Sequence, residues 1–295
     1  LKIGKTLSKV SAEMKKVLVY GKNSYIGEHY YHALKKSGNN VIIINSFEQK
    51  PKDIDFTGID TVVNVVGIAH IKITDDMEGL FYKINTDLAV ELCDVAKKAG
   101  VKQYIYMSSM NVFGDTTETI SSREQEGPKN FYGKSKYLAD QKIHAMEAED
   151  FKIASVRPPV VYGKGCKGNF VLLQKVASLT PIFPNYKNKK SMIYIGHLDN
   201  FICELVANGE GGYFHPQNAD VISTADTIVA IRKAMGKKTL LIPGFGWLVK
   251  IGMKMMSRVE RAFADDNYDL EFSKYGENTY CNLDFQTTID RTVNG

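Results

Sequence analysis

The chain has 295 residues, 44% of them hydrophobic and 24% charged, values close to those of ordinary globular proteins, which excludes disordered and fibrous classes. Its 38 Lys and Arg against 33 Asp and Glu give a net charge of +5, too mild and too scattered for a nucleic-acid surface but suited to an anionic small molecule. Cys93, Cys166, Cys203 and Cys281 stand far apart without a C-x-x-C, so neither a metal site nor a disulfide framework is expected, and a cytoplasmic setting is the default.

Residues 1–13 precede the first strand-like run and read as a tag or loose extension. No apolar run reaches the roughly 18 residues of a transmembrane helix, and no signal-peptide pattern is present, so no integral membrane segment is expected. Lys16 to Tyr20 is a short apolar, β-branched run, followed by a glycine turn from Gly21 to Gly27 and a helical pattern to about Lys36. Ser37-Gly38-Asn39-Asn40 stops that helix, and Val41 to Ile44 is a second continuously apolar strand, the pattern of a parallel sheet covered on both faces.

The alternation continues with strands at 61–66, 103–108 and 152–157, helices at 77–99 and 131–147, and a short strand near 211–215. Repeated βα units predict an α/β fold with a doubly wound, Rossmann-type parallel sheet over residues 14–163, with return segments near 191–222. Beyond Tyr162 glycines and prolines break the chain into short pieces between helices near 169–178 and 197–207. Residues 164–190 and 223–295 are expected to form a smaller, mainly helical lobe that binds substrate.

A glycine turn between first strand and first helix offers backbone N–H groups and the helix dipole to a pyrophosphate. Gly21 supplies the tight turn and Gly27 the close helix–strand packing, whereas Ser24 stands where a middle glycine would be, and Lys22, Tyr25 and Ile26 complete the turn. The second strand ends in Asn45 rather than in the carboxylate that would hold a ribose 2′-OH. With Lys22 nearby, this leans to NADP(H), while Glu48 keeps NAD(H) in play.

Tyr132 and Lys136 lie one helical turn apart at the start of the fourth helix pattern. An ammonium beside a phenol favours its ionised form and brings it toward proton transfer near neutrality. Ser109 follows the fourth strand, at the carboxyl edge where open α/β sheets bind ligands.

These features, with Asn85 in Ile84-Asn85-Thr86, the Val112-Phe113-Gly114 tail and Arg157-Pro158-Pro159-Val160-Val161-Tyr162-Gly163, resemble the extended short-chain dehydrogenases/reductases, in particular the nucleotide-sugar epimerase/dehydratase group. The resemblance runs from about Lys15 to His215 and more loosely to the end. It implies Ser109, Tyr132 and Lys136 as the catalytic trio, with Lys136 also holding the nicotinamide ribose. It further implies Asn85 as a cofactor contact, Val65, Val66 and Gly67 as lining of the dinucleotide cleft, and Asn169, Phe183 and Lys190 as substrate-side residues; His70, by its position beyond the third strand, reads either as a substrate-side residue or as a plain loop histidine. Lys190 stands where 4-epimerases of the family carry a phosphate-binding arginine, and a lysine lacks its bidentate fork.

The family's 4,6-dehydratases carry two acids after the catalytic hydroxyl, where this chain has Met110-Asn111, so dehydration is not expected. The resemblance implies NAD(P)-dependent chemistry at C4 of a UDP-sugar, first reduction of a UDP-4-keto-deoxyhexosamine for surface polysaccharide and alternatively 4-epimerisation with tightly bound NAD. A homodimer is usual in the family. The stretch 240–256, with Trp247, three methionines and flanking basic residues, reads as a core-facing or dimer-facing helix, a basic membrane-surface helix being its rival.

Overall fold

A computed structural model describes residues 14–69, 74–114 and 119–295. Six parallel strands form the central sheet: β1 (Lys16–Tyr20), β2 (Asn40–Ile44), β3 (Thr61–Asn64), β4 (Gln103–Met107), β5 (Lys152–Val156) and, last in the chain, β9 (Gly212–Phe214). Their order is β2-β1-β3-β4-β5-β9. Val19 lies beside Ile43 on one flank and Val63 on the other, so β1 is central and the strand order reverses across it. Such a reversal opens a crevice at the carboxyl ends of the strands.

Every residue of β3 and β4 is buried, as covering both faces of a parallel sheet requires. One face is covered by α1 (Tyr25–Lys36) and α6 (Ile195–Asn208), whose Tyr30, Leu34, Leu198, Phe201 and Ile202 pack on Val17, Val19, Ile105 and Val156. The other receives α3 (Leu88–Lys98) and α4 (Phe131–His144) through Leu92, Cys93, Ala96, Ala139 and Ile143.

The expected single helix over 77–99 is composite: a 3-10 turn (Asp75–Met77), α2 (Glu78–Phe81), a π-helical turn (Tyr82–Asp87) and then α3. No helical unit intervenes between β2 and β3. A connection with one 3-10 turn (Pro51–Asp53) packs Ile54, Phe56 and Ile59 into the core beside α3 and leaves β2 as the edge strand.

The short pieces beyond Tyr162 form two parallel strand pairs, β6 (Val160–Tyr162) with β8 (Met192–Tyr194) and β7 (Ile182–Pro184) with β10 (Leu240–Ile242). Around them lie α5 (Asn169–Leu179), α7 (Thr224–Ala234), α8 (Gly246–Met255), α9 (Ser257–Phe263) and α10 (Phe285–Asn294). A further core joins Phe170, Ala177, Phe183, Met192, Ile228, Ile231 and Ile289. The core-facing expectation for α8 fails, since Val249 is its one buried residue among those described.

Candidate active site

At the carboxyl end of β1, Gly21 turns the chain with φ +136°, and its amide donates to the Ile44 carbonyl at 2.9 Å. A Cβ there would lie 2.5 Å from Val65 Cγ2, and one on Gly27 would lie 2.2 Å from the Gly21 carbonyl oxygen. Both glycines are therefore steric requirements of the turn. Ser24 caps α1: its Oγ accepts from Gly27 N at 3.0 Å and donates to Gly21 O at 2.6 Å. The hydroxyl in the middle of the glycine turn thus completes the helix start that a third glycine would leave open. The amides of Tyr25 and Ile26, the first two of α1, have no carbonyl one turn back and remain for an anion.

Around this turn, Tyr25 points its hydroxyl at Gly163, where a Cβ would come within 2.6 Å. Lys22 is exposed. Asn45 Nδ2 donates to Glu48 Oε1 at 2.9 Å, which holds a carboxylate at the end of β2. The strand expected through Val66 ends at Asn64, so Val65, Val66 and Gly67 are loop; Asn64 Oδ1 accepts from Val66 N at 3.0 Å and holds that loop over the turn.

Asn85 sits in the π-helical turn with its side chain buried. Its Oδ1 accepts from Ile68 N at 2.7 Å and its Nδ2 donates to Ser135 Oγ at 3.0 Å. The amide therefore clamps the loop after β3 to α4. A Cβ on Gly67 would lie 2.9 Å from Lys136 Nζ and 3.1 Å from Asn85 Oδ1, so the cleft floor closes directly on the lysine.

Asn130 starts α4 by accepting Gly133 N at 2.8 Å, and the helix then presents Tyr132 and Lys136 toward the end of β4. Lys136 Nζ donates to the Met107 carbonyl at 2.7 Å and lies 4.7 Å from the centre of the Tyr106 ring. Burial lowers its pKa to about 8, against the opposing pull of Asp140 one turn on. Burial raises the pKa of Tyr132, and a hydrogen bond with Ser109 works the other way.

Ser109 is extended and opens the 3-10 turn Met110–Phe113. Its Oγ accepts from Asn111 N at 3.2 Å and from Asn111 Nδ2 at 3.1 Å. Two accepted bonds fill the oxygen's lone pairs and leave its proton to be given away, which suits stabilisation of a phenolate or of a substrate oxygen. Asn111, expected only to disfavour dehydration, is thus also the residue that orients Ser109.

Beneath the trio lies a charged network not expected from the sequence. Arg157 is buried and donates to Asp140 Oδ2 at 3.0 Å and Glu126 Oε1 at 2.7 Å, while Ser108 Oγ donates to Asp140 at 2.9 Å. The spacing of Asp140 four residues after Lys136 was the available signal.

The substrate-side residues fare differently. His70 lies outside the described residues. Asn169 is exposed and is the first residue of α5. Phe183 is buried and stacked on Phe263 at 5.7 Å, in the core that it shares with Phe170 and Met192. Lys190 is half-buried, 3.8 Å from Asp266, and the neighbouring Asn267 carbonyl accepts from Ile120 N at 2.8 Å, which ties this segment to the chain that follows the catalytic loop.

The sequence model described as the NAD dependent epimerase/dehydratase family matches residues 17–200. The chain belongs to this family. Among curated relatives, the UDP-glucose 4-epimerase of Vibrio cholerae is 27% identical over 231 residues, covering 73% of this chain and 70% of the relative. The N-acetyl-alpha-D-glucosaminyl-diphospho-ditrans,octacis-undecaprenol 4-epimerase of Escherichia coli O157:H7 is 26% identical, covering 70% and 63%. Among solved structures, the UDP-N-acetylglucosamine 4-epimerase of Bacillus cereus superposes with a TM-score of 0.73 at 17% identity over 95% of this chain and 100% of that one. The dTDP-4-dehydrorhamnose reductase of Bacillus anthracis, in complex with NADP, gives 0.65 at 18% identity over 78% and 84%. At such identities the structural likeness carries the Rossmann-type fold of the family, and epimerases and reductases share it.

Within this family the site has the parts for a nicotinamide dinucleotide. The turn from Gly21 to Gly27 closes tightly because neither glycine carries a Cβ, and Gly67 lets the loop after β3 approach Lys136 Nζ and Asn85.

Proposed function

We propose that this chain catalyses oxidoreduction at C4 of a UDP-sugar, first of all the reduction of a UDP-4-keto-deoxyhexosamine destined for surface polysaccharide. The observation that carries the reading is the meeting of Ser109, at the end of β4, with Tyr132, at the start of α4, close enough for the serine hydroxyl to lower the phenol's proton affinity, with Lys136 one turn further along α4. A bound nicotinamide supplies or removes hydride. The protein's part is the proton: Tyr132 gives it to the C4 oxygen, Ser109 holds that oxygen through a proton directed outward by Asn111, and Lys136 lowers the phenol's proton affinity through its charge. Met110 and Asn111 offer no carboxylate for removing a proton next to the keto carbon, so water elimination finds no base there.

A second reading, 4-epimerisation with tightly held NAD(H), is favoured by the Asn45–Glu48 pair. A carboxylate at the end of β2 suits a ribose diol and opposes a 2′-phosphate, whereas the exposed Lys22 favours NADP(H), the cofactor of the first reading. Dissociation constants for NADPH and NADH in the native chain, in Lys22→Ala and in Glu48→Gln separate the two contributions.

The reaction class is tested by incubating the purified chain with a UDP-4-keto-6-deoxyhexosamine and NADPH deuterated at the transferable position. Stoichiometric NADPH oxidation with label at C4 supports reduction. Interconversion of UDP-N-acetylglucosamine and UDP-N-acetylgalactosamine without added cofactor or net oxidation replaces it with the epimerase. Turnover of neither substrate class overturns both.

A further inference from the structure

The helix α8 poses a question that the catalytic reading does not answer. Trp247 is 61% exposed, Leu248 44%, Ile251 46% and Met255 79%, an apolar stripe that the described chain leaves uncovered. It does not stop at α8. Leu240 pairs with Ile182 across β10 and β7, both exposed, and Ile182 follows α5, whose Leu172, Val176 and Leu179 form a second exposed row at helical spacing. Exposed contiguous apolar surface of this kind marks an interaction site rather than ordinary surface.

Charge identifies the partner. Residues 158–198 and 227–259, the stretches that contain α5, β7, β10 and α8, hold 13 Lys and Arg and no Asp or Glu. The remainder of the chain holds 25 basic and 33 acidic residues and is net negative, although the whole is +5. Lys250 and Lys254 are exposed on α8 beside the stripe, Lys175 is exposed on α5, and Lys237 and Lys238 are exposed just before β10. A symmetric contact with a second copy would set this basic surface against itself. Exposed tryptophan, leucine and methionine flanked by lysine match the boundary between acyl chains and anionic headgroups. None of the described helices is long and apolar enough to cross a membrane, so contact would be parallel to the surface.

We propose that the face formed by α8, the β7–β10 pair and α5 is a peripheral docking site for a bilayer rich in anionic phospholipid. This stands apart from the catalytic reading and survives or fails separately from it. Trp247 is the sole tryptophan of the chain, so its fluorescence reports the contact directly.

The full chain is mixed with vesicles of phosphatidylcholine alone or of phosphatidylcholine with phosphatidylglycerol, and Trp247 emission and flotation are recorded. The expected result is a blue shift, quenching by lipids brominated along the acyl chain, and co-flotation with the phosphatidylglycerol vesicles alone, all weakened by added salt. Lys250→Gln with Lys254→Gln is expected to weaken binding about 30-fold, and Leu248→Ser with Ile251→Ser to abolish it, each with an unchanged far-UV circular dichroism spectrum and native catalytic turnover. Absence of flotation, or equal binding to phosphatidylcholine vesicles, overturns the proposal. So does a blue shift that grows with protein concentration in the absence of lipid together with a dimer in sedimentation, since a second copy would then cover the face.

Discussion

Gly133, between Tyr132 and Lys136, is expected to be a position where one methyl group separates stability from activity. A Cβ there would lie 2.5 Å from the carbonyl oxygen of Asn111 and 3.1 Å from Pro128 Cβ. Because real Cβ contacts stay above 3.0 Å, Gly133→Ala must part the first turn of α4 from the Ser109–Asn111 loop by at least 0.5 Å. Overpacking of this kind costs about 1–3 kcal/mol, and replacing a helical glycine by alanine returns up to about 1 kcal/mol. The net effect on folding is therefore modest.

The same displacement pulls Tyr132 and Lys136 away from Ser109. Misplacement of about 1 Å at a reacting centre costs about a hundredfold, so kcat is expected to fall roughly tenfold to a hundredfold while the melting temperature moves by only a few degrees. Steady-state kinetics, thermal unfolding and cofactor titration measure the three quantities. Gly79→Ala, on α2 with open space around its Cβ, is the control and is expected to leave all three near native values. Should Gly133→Ala keep kcat within about twofold of the native enzyme, the idea that loop and helix are held at catalytic distance by this glycine is wrong.

Tyr132→Phe is expected to retain fold and cofactor binding while turnover drops by about two to four decades; near-native turnover would show that another group handles the proton. Lys136 loses its ammonium as pH rises through about 8, so the rate is expected to fall on the alkaline side near that value. Asp140 opposes this loss, and Asp140→Asn should move the alkaline limb to lower pH; pH–rate profiles of both proteins decide it, and an unmoved limb excludes Asp140 as the support of the charge. Arg157→Met leaves the buried Asp140 carboxylate without its guanidinium and is expected to destabilise the fold by about 3–5 kcal/mol in denaturant titration, whereas a loss within about 1 kcal/mol would mean that the pair is replaceable by apolar packing.

The sheet was legible because burial on both faces leaves unbroken apolar runs such as Val41 to Ile44, and the glycine turn because Gly21 and Gly27 have no sterically allowed substitute. Tyr132 and Lys136 were legible because a helix makes their spacing meaningful. What escaped the sequence depends on partners brought together by tertiary structure. Nothing local marks Asn111 as the donor that orients Ser109, or Arg157 as the cation beneath Asp140. Phe183 carries the same aromatic side chain whether it lines a cleft or stacks on Phe263. That most of α8 faces away from the core was not legible, because apolar periodicity shows which residues share a side of a helix and is silent on what covers that side.

The π-helical turn at Tyr82–Asp87 places an unusual demand on heredity. Its wider winding accommodates one more residue than an α-helix would, with the buried face of α3 set on the sheet downstream and Phe81 set edge-to-face on the Tyr132 ring upstream. Losing one residue from this turn would let it rewind as ordinary α-helix with α3 and Phe81 still seated, at the cost of the contacts that the wide turn itself makes, those of Asn85 with Ile68 and Ser135. The fold can therefore do without the extra residue, but the clamp between the loop after β3 and α4 cannot. In a lineage of such chains, a one-residue gap here should go together with a change at Asn85.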